Sequence, residues 1–338
     1  MPVFVLALVP LLLAVGFSVD YTSAVQTRSN MQNALDAAIL SITTLPTTTA
    51  LADRQAAMQN SYAANGGDGT ATLTSFTVAS DGTASAKATA SYPMPTNFMS
   101  IAAIKTVQVS VASGVNKTPA LVQTTFKVTK VSGYWNKTMT LYGTKFGSTA
   151  TNPLMTISYT YNGFGDPKGY GTSVVSTING STVTKVQQQV CTTATVKNFN
   201  NLPTGAITQT SGSKKYVTTC ADTFYPANGS GAVIDVSQMD QLYLQMDVPS
   251  GNPKTLKSND PDTSNRLYVG TSSTNMPEVA TGQTVDIFTA VPCGQTGYQA
   301  WEDGGNAVPA DVSNADFFYT VQGKCDYNQR PSETVMTQ

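Results

Sequence analysis

Met1 to Val19 is a run of apolar residues with no charged side chain, and the next stretch, Asp20 to Ile42, carries charge only at Asp20, Arg28 and Asp36. Ala24, Met31, Leu35, Ala38 and Ile42 recur at spacings of three and four, interrupted by Arg28, which predicts an amphipathic helix. A continuous helix over both stretches would be roughly 63 Å long, more than a globular core accommodates. Pro10 removes one amide from the ladder, so a kink is expected there. Pro46, in Thr43 to Thr49, breaks the helix. A second helix is predicted from Ala50 to Ala64, with Leu51, Gln55, Met58 and Tyr62 on one face and Asn65-Gly66-Gly67 as its stop.

The period then changes from helical to alternating. Thr70 to Ala79 places Phe76 and Val78 on one face, and Asp81-Gly82 reads as a hairpin turn. Ala84, Ala86, Ala88 and Ala90 follow on one side of a second strand, small enough for a helix to approach closely. Tyr92 to Met99 reads as a loop, and Lys105 to Ser113 alternates through Val107, Val109 and Val111. These elements make a small α+β head over 45–117. From residue 118 onward the chain reads as short strands: Val122–Val131, Met139–Tyr142, Met155–Tyr161, Thr182–Gln189, Gln241–Val248, Thr284–Phe288 and Asp316–Val321, with a turn at Trp301 to Asn306. The fold class is α+β: a long apolar N-terminal helix over 1–44, the head, and a mostly antiparallel, sandwich-like β region of one or two units.

Charge decides between fates for the apolar end. It is near the lower limit for a membrane span. Burial of its side chains is worth on the order of 20–45 kcal/mol, so it is not left in water. A signal peptide needs a basic flank, as does a cytoplasmic membrane anchor, and no Lys or Arg precedes Arg28. The remaining expectation is that a basic leader has been removed, that Met1 begins a mature subunit, and that the helix packs against identical helices. Val5, Leu6, Leu8, Val9, Pro10, Leu12, Leu13, Gly16 and Phe17 would line that contact, with Gly16 permitting close approach. Met31 and Leu35 continue the stripe, serving either the molecule's own head or a neighbour.

The run ALVPLLLAVGFSVDYTSAVQTRSNMQNALDAAILS, Ala7 to Ser41, resembles the N-terminal signature of TadG/TadE-like proteins of the tight-adherence (Flp) pilus systems. Its diagnostic parts are LVPLLLAVGFSVDY and a basic residue, Arg28, before NMQNALDAA. The resemblance implies a pilin-like helix, processing by a prepilin peptidase, partnership with pilus assembly machinery and residence in the inner membrane before assembly. Type IV pilins carry a glutamate at the fifth mature position, and this chain has Val5, so registration with a neighbour needs another device. Arg28 lies two turns from both Asp20 and Asp36, too far for contact within one helix. A staggered neighbour would bring either aspartate to it.

Composition narrows the rest. Charged residues are 12% and the net charge is −1, which gives nucleic acid no basic surface to bind. The chain has no histidine, which removes Ser-His and Cys-His catalysis and most transition-metal sites, so no enzyme activity and no cofactor are expected. Cys191, Cys220, Cys293 and Cys325 are an even set without C-x-x-C spacing. Of three pairings, Cys191–Cys220 with Cys293–Cys325 is favoured, each closing a short loop worth ~3–4 kcal/mol.

Some TadG-like proteins carry a D-x-S-x-S metal site; its nearest counterpart, Asp235-Val-Ser237-Gln-Met239, lacks the final hydroxyl. Asp260 and Asp262, within Asn259 to Asn265, concentrate oxygen ligands as calcium loops do but lack the glycine and distal glutamate of an EF-hand. Trp301, Glu302 and Asp303 beside Tyr298 have sugar-site chemistry, although a Trp in a β fold more often fills a core. No metal is assigned. The reading is a structural subunit of an extracellular, cell-surface filament, polymerised by its helix, displaying a disulfide-stapled β domain and available for adhesion. The alternative is a membrane-anchored TadG-like component of the assembly apparatus with a periplasmic β domain.

Overall fold

The N-terminal helix, α1 (Pro2–Ser41), is 40 residues long and runs unbroken through Pro10. The computed structural model of the protein describes residues 2–304, 311–326 and 334–337, with side chains from residue 15 onward. The side chains of Val5, Leu6, Leu8, Val9, Pro10, Leu12 and Leu13, and the end of the turn at Trp301 to Asn306, lie outside the described residues. Among the described residues, no helix is long and apolar enough to cross a membrane. The chain divides into two compact units, Met1–Pro119 with Pro331–Gln338, and Ala120–Arg330.

In the first unit, α1 passes into a 3-10 turn (Ile42–Thr44) and ends at Leu45, held extended by the proline after it. Helix α2 (Leu51–Ala64) folds back on α1. Strands β1 (Thr70–Val78), β2 (Ala84–Pro95) and β3 (Thr106–Lys117) form an antiparallel sheet whose far edge is the C-terminal strand, Thr334–Met336. The sheet's small face, Ala86, Ala88 and Ala90, is buried together with Met31, Leu35, Ala38 and Ile42 of the first helix and turn. The second half of α1 therefore belongs to the head's own core, and the residues that reopen the sheet at residue 334 had been read as part of the β region. Strand β2 continues through Pro93 and Pro95, in the stretch read as a loop. β1 pairs only as far as Ser91, so beyond it β2 is an edge strand and the missing amides cost no ladder bond.

Edge strand β1 is covered by glutamines. Gln55 Nε2 donates to the Ala71 carbonyl at 2.8 Å, and its Oε1 accepts the Leu73 amide at 2.6 Å. Gln59 accepts the Ala71 amide at 2.7 Å. A polar residue on the inward stripe of α2 thus closes an edge that would otherwise be open to pairing.

Among its described residues the second unit is β apart from loops, two 3-10 turns and one short helix. It comprises β4 (Ala120–Val131), β5 (Lys137–Lys145), β6 (Thr151–Tyr161), β7 (Gly171–Asn179), β8 (Thr182–Val196), β9 (Ile207–Ser211) and β10 (Lys214–Phe224), then β11 (Ala232–Asp235), β12 (Met239–Asp247) and β13 (Thr255–Lys257), and finally β14 (Leu267–Gly270), β15 (Thr296–Trp301) and β16 (Phe317–Asp326). Among the described residues these form an eight-stranded sheet, β13-β12-β5-β6-β7-β8-β10-β9, and a five-stranded sheet, β11-β4-β16-β15-β14. One apolar core, with Met139, Leu141, Ile157 and Leu244 from the first and Phe126, Val128, Trp301 and Phe317 from the second, joins them as a single sandwich. Thr284–Phe288, read as strand, instead leads into a short helix, α3 (Ile287–Ala290), because the Asp286 carboxylate accepts the Phe288 amide and caps it.

Where β11 stops pairing with β4 at Phe126, a side chain takes over. Gln187 of β8 accepts the Val128 amide and donates to its carbonyl, both at 3.0 Å, as a strand would. The disulfides are Cys191–Cys220, directly opposed on β8 and β10, and Cys293–Cys325. Each closes a sequence-local loop.

Candidate functional site

The first candidate surface is α1 above the head. Val15, Phe17, Val19, Tyr21 and Val25 are exposed, Tyr21 to 71%. Beside them Ser18, Thr22, Ser23 and Gln26 line a shallow groove along the helix with Val15 and Val19. Apolar side chains flanking small ones suit close packing of another helix.

The opposite face of this stretch is covered by the β2–β3 loop. A Cβ on Gly16 would come within 2.5 Å of Phe98 Cβ, so the close approach that Gly16 permits is taken by Phe98 of the same chain. One turn on, Asp20 is 2% exposed, and its carboxylate accepts the amides of Asn97, Phe98 and Met99 at 3.0, 2.9 and 2.6 Å. Burial alone would raise this carboxyl's pKa, but the three amides outweigh it and hold the group below its ordinary value. The clamped loop presents Phe98, Ile101 and Ile104 to solvent beside the helix.

The remaining expected contact residues divide accordingly. Met31 and Leu35 are wholly buried in the head core and so do not face a neighbour. Asp20 is committed to the loop, which corrects its reading as a registering charge. Asp36 is half-buried and accepts from Gln32 at 2.9 Å and Ser113 at 2.6 Å. Arg28 is exposed.

The chemistry-rich place in the second unit is a group of carboxylates around a lysine. Lys137, the first residue of β5, has no exposed side-chain surface; its Nζ donates to the Ser132 carbonyl at 2.8 Å and to Asp303 Oδ2 at 2.7 Å, and lies 4.0 Å from Asp316 Oδ2. Glu302, Asp303 and Asp316 each bring a carboxylate oxygen within 4.8 Å of the others. Burial raises the Asp316 carboxyl to about 6, Lys137 and Lys168 pulling it down and Asp303 and Glu302 pushing it up. Gly133, in the left-handed region at φ +102, leaves the space these groups share: a Cβ there would meet Lys137 Nζ at 2.7 Å and Asp303 Oδ2 at 3.1 Å. The group borders a cleft of about 370 Å³ lined also by Tyr134, Trp135 and Lys168.

Neither Lys137 nor Asp316 carried a sequence signal; Asp303, the carboxylate that Lys137 meets, lies 166 residues away along the chain and is brought to it only by the folded sandwich. Trp301 is fully buried and donates to the Tyr319 hydroxyl at 3.1 Å, which removes it from any sugar-binding surface. Asp260 accepts the Asp262 amide at 3.0 Å in a local turn, and Asp235 likewise accepts the Ser237 amide at 2.9 Å.

Residues 1–41 match the family model described as Putative Flp pilus-assembly TadE/G-like. No curated protein matches the chain, and no solved structure does. The match covers α1, and the two disulfides of the β sandwich are of a kind that persists in oxidising, extracytoplasmic compartments.

Proposed function

We propose, from that match over α1, that the chain is a structural subunit of an extracellular pilus-like filament, assembled through α1 and displaying the β sandwich, with no substrate turned over. The observation that carries this reading is the pair of uncovered apolar rows, Val15 with Val19 and Phe17 with Tyr21 and Val25, that flank Ser18 and Thr22 in helical continuity with the charge-free sequence before them. Their exposed area is stabilised only by other apolar surface, and identical helices supply that in register. Arg28, exposed and just past the rows, is the registering charge. Prepilin peptidase processing, the pilus machinery and the inner membrane before assembly are the partners of this reading. The test is fractionation of surface-sheared cells. Recovery of the chain in fibres supports the filament; retention in the inner-membrane fraction with a basic leader attached supports the anchored apparatus component.

A further inference from the structure

We propose that Lys137 and Asp303 condense within the folded sandwich to an isopeptide bond, Nζ to Cγ, with Asp316 carrying a proton from the nitrogen to the departing hydroxyl. The geometry leads there in three steps. A lysine with no exposed side-chain surface faces a carboxylate oxygen at 2.7 Å, so the nucleophile and its acceptor are already in contact. Groups held this way react as if at effective molarities of about 10⁵–10⁸ M, enough to offset the preference of free amines and carboxylates for remaining apart in water. The folded pair is also costly as ions, because interior charges lose hydration that their mutual attraction repays only in part. An amide carries no charge and keeps a carbonyl acceptor and an N–H donor.

The balance needs no other reactant. An ammonium with three hydrogens and a carboxylate with two oxygens become an amide N–H, an amide carbonyl and one water. Asp303 Oδ2, 2.7 Å from Nζ, first takes a proton from the ammonium, which frees the nitrogen lone pair and turns the carboxylate into the neutral acid that it attacks at Cγ. As the C–N bond forms, Asp316 beside them takes the second proton from nitrogen and hands it to the departing hydroxyl, the C–O bond breaks with loss of water, and Asp316 returns to its starting state. A carboxyl whose pKa lies near 6 exchanges protons in both directions at neutral pH, which suits the carrier role. The adjoining cleft lets the water leave. Gly133 is required because any side chain there would occupy the space where Nζ and the carboxylate meet.

The bond would join β5 of the eight-stranded sheet to the residue pair that follows β15 of the five-stranded one. It spans 166 residues, where the disulfides span 29 and 32, and it is indifferent to reductant.

The experiment is the intact mass of the reduced, full-length protein, followed by peptide mapping. The expected result is a chain lighter than its sequence by one water, about 18 Da, and a branched peptide joining Lys137 to Asp303. Lys137→Met and Asp303→Ala chains should regain the full mass, and an Asp316→Asn chain should remain largely unlinked. The wild-type measurement does not depend on whether those variants fold. Full sequence mass with Lys137 and Asp303 in separate linear peptides overturns the proposal. So does a lost water confined to a cyclic imide at Asp303-Gly304, or a branch at Asp316. An Asp316→Asn chain that links completely overturns the proton-carrier role.

Discussion

Arg54 shows how much a single side chain holds in the first unit. It is 1% exposed, donates to the carbonyls of Ile42 and Pro46 at 2.8 and 2.7 Å, and lies 3.9 Å from the centre of the Phe76 ring. It thereby satisfies carbonyls where α1 ends, the negative end of the helix dipole. Arg54→Met should destabilise this unit by about 1.5–3 kcal/mol, since two charge-assisted bonds are lost, one of them to the buried Ile42; chemical denaturation followed by far-UV circular dichroism measures it. Nothing in the sequence marks Arg54 as internal, because a charged residue in a polar helix reads as solvated and its partners lie outside that helix. Asp20 is the second such residue. Its folded pKa is depressed, so its contribution is present above the unfolded value of about 3.9 and is lost as pH falls through the lower folded value. Amide exchange at Asn97, Phe98 and Met99 should accelerate across that acid range in the wild type. In Asp20→Ala it should be fast throughout.

At the scale of elements, the two halves of α1 do different things, and the spacing of their residues foretold only one. Met31, Leu35, Ala38 and Ile42 were readable as a buried stripe because a three-and-four period on one helix needs just one flat partner, here the alanine face of β2. The upper half has no polar face to break its pattern, so the sequence could not say which side the β2–β3 loop covers; Gly16 and Asp20 mark that side only once Phe98 is seen against them. The assembly prediction follows from the uncovered side. Val15→Asp or Val25→Asp should abolish fibres while both units remain folded, judged by electron microscopy and by intact disulfides. Arg28→Glu should do the same if it registers neighbouring helices, and normal fibres would remove it from that role. Strands β9 and β10 escaped the sequence reading for a related reason. β9 buries no residue and β10 only the run Tyr216 to Thr218, so neither alternates between buried apolar and exposed polar positions.

Over the whole molecule, the chain leaves its first unit at Pro119 and returns to it at Pro331, so the sandwich is an insertion between β3 and the C-terminal strand. That strand pairs Thr334 with Lys117 and Met336 with Val115, while the Thr337 amide donates to the Gly114 carbonyl at 2.8 Å. It covers the Val115 to Lys117 end of β3, as the glutamines of α2 cover Ala71 and Leu73 of β1, and takes those stretches of edge out of pairing with another chain. Deleting residues 331–338 should therefore lower the melting transition of the first unit and leave that of the second unchanged. The deleted backbone bonds contribute roughly 1 kcal/mol each, so the shift should be several degrees for a unit of this size. Two-transition calorimetry separates the outcomes, since a sandwich with its own core and both disulfides unfolds independently. A matched fall in both transitions would mean that the closing strand stabilises the sandwich as well. An unchanged profile would mean that the bare edge of β3 is stable in water, and the reason for the chain's return to its first sheet would have to be sought in assembly.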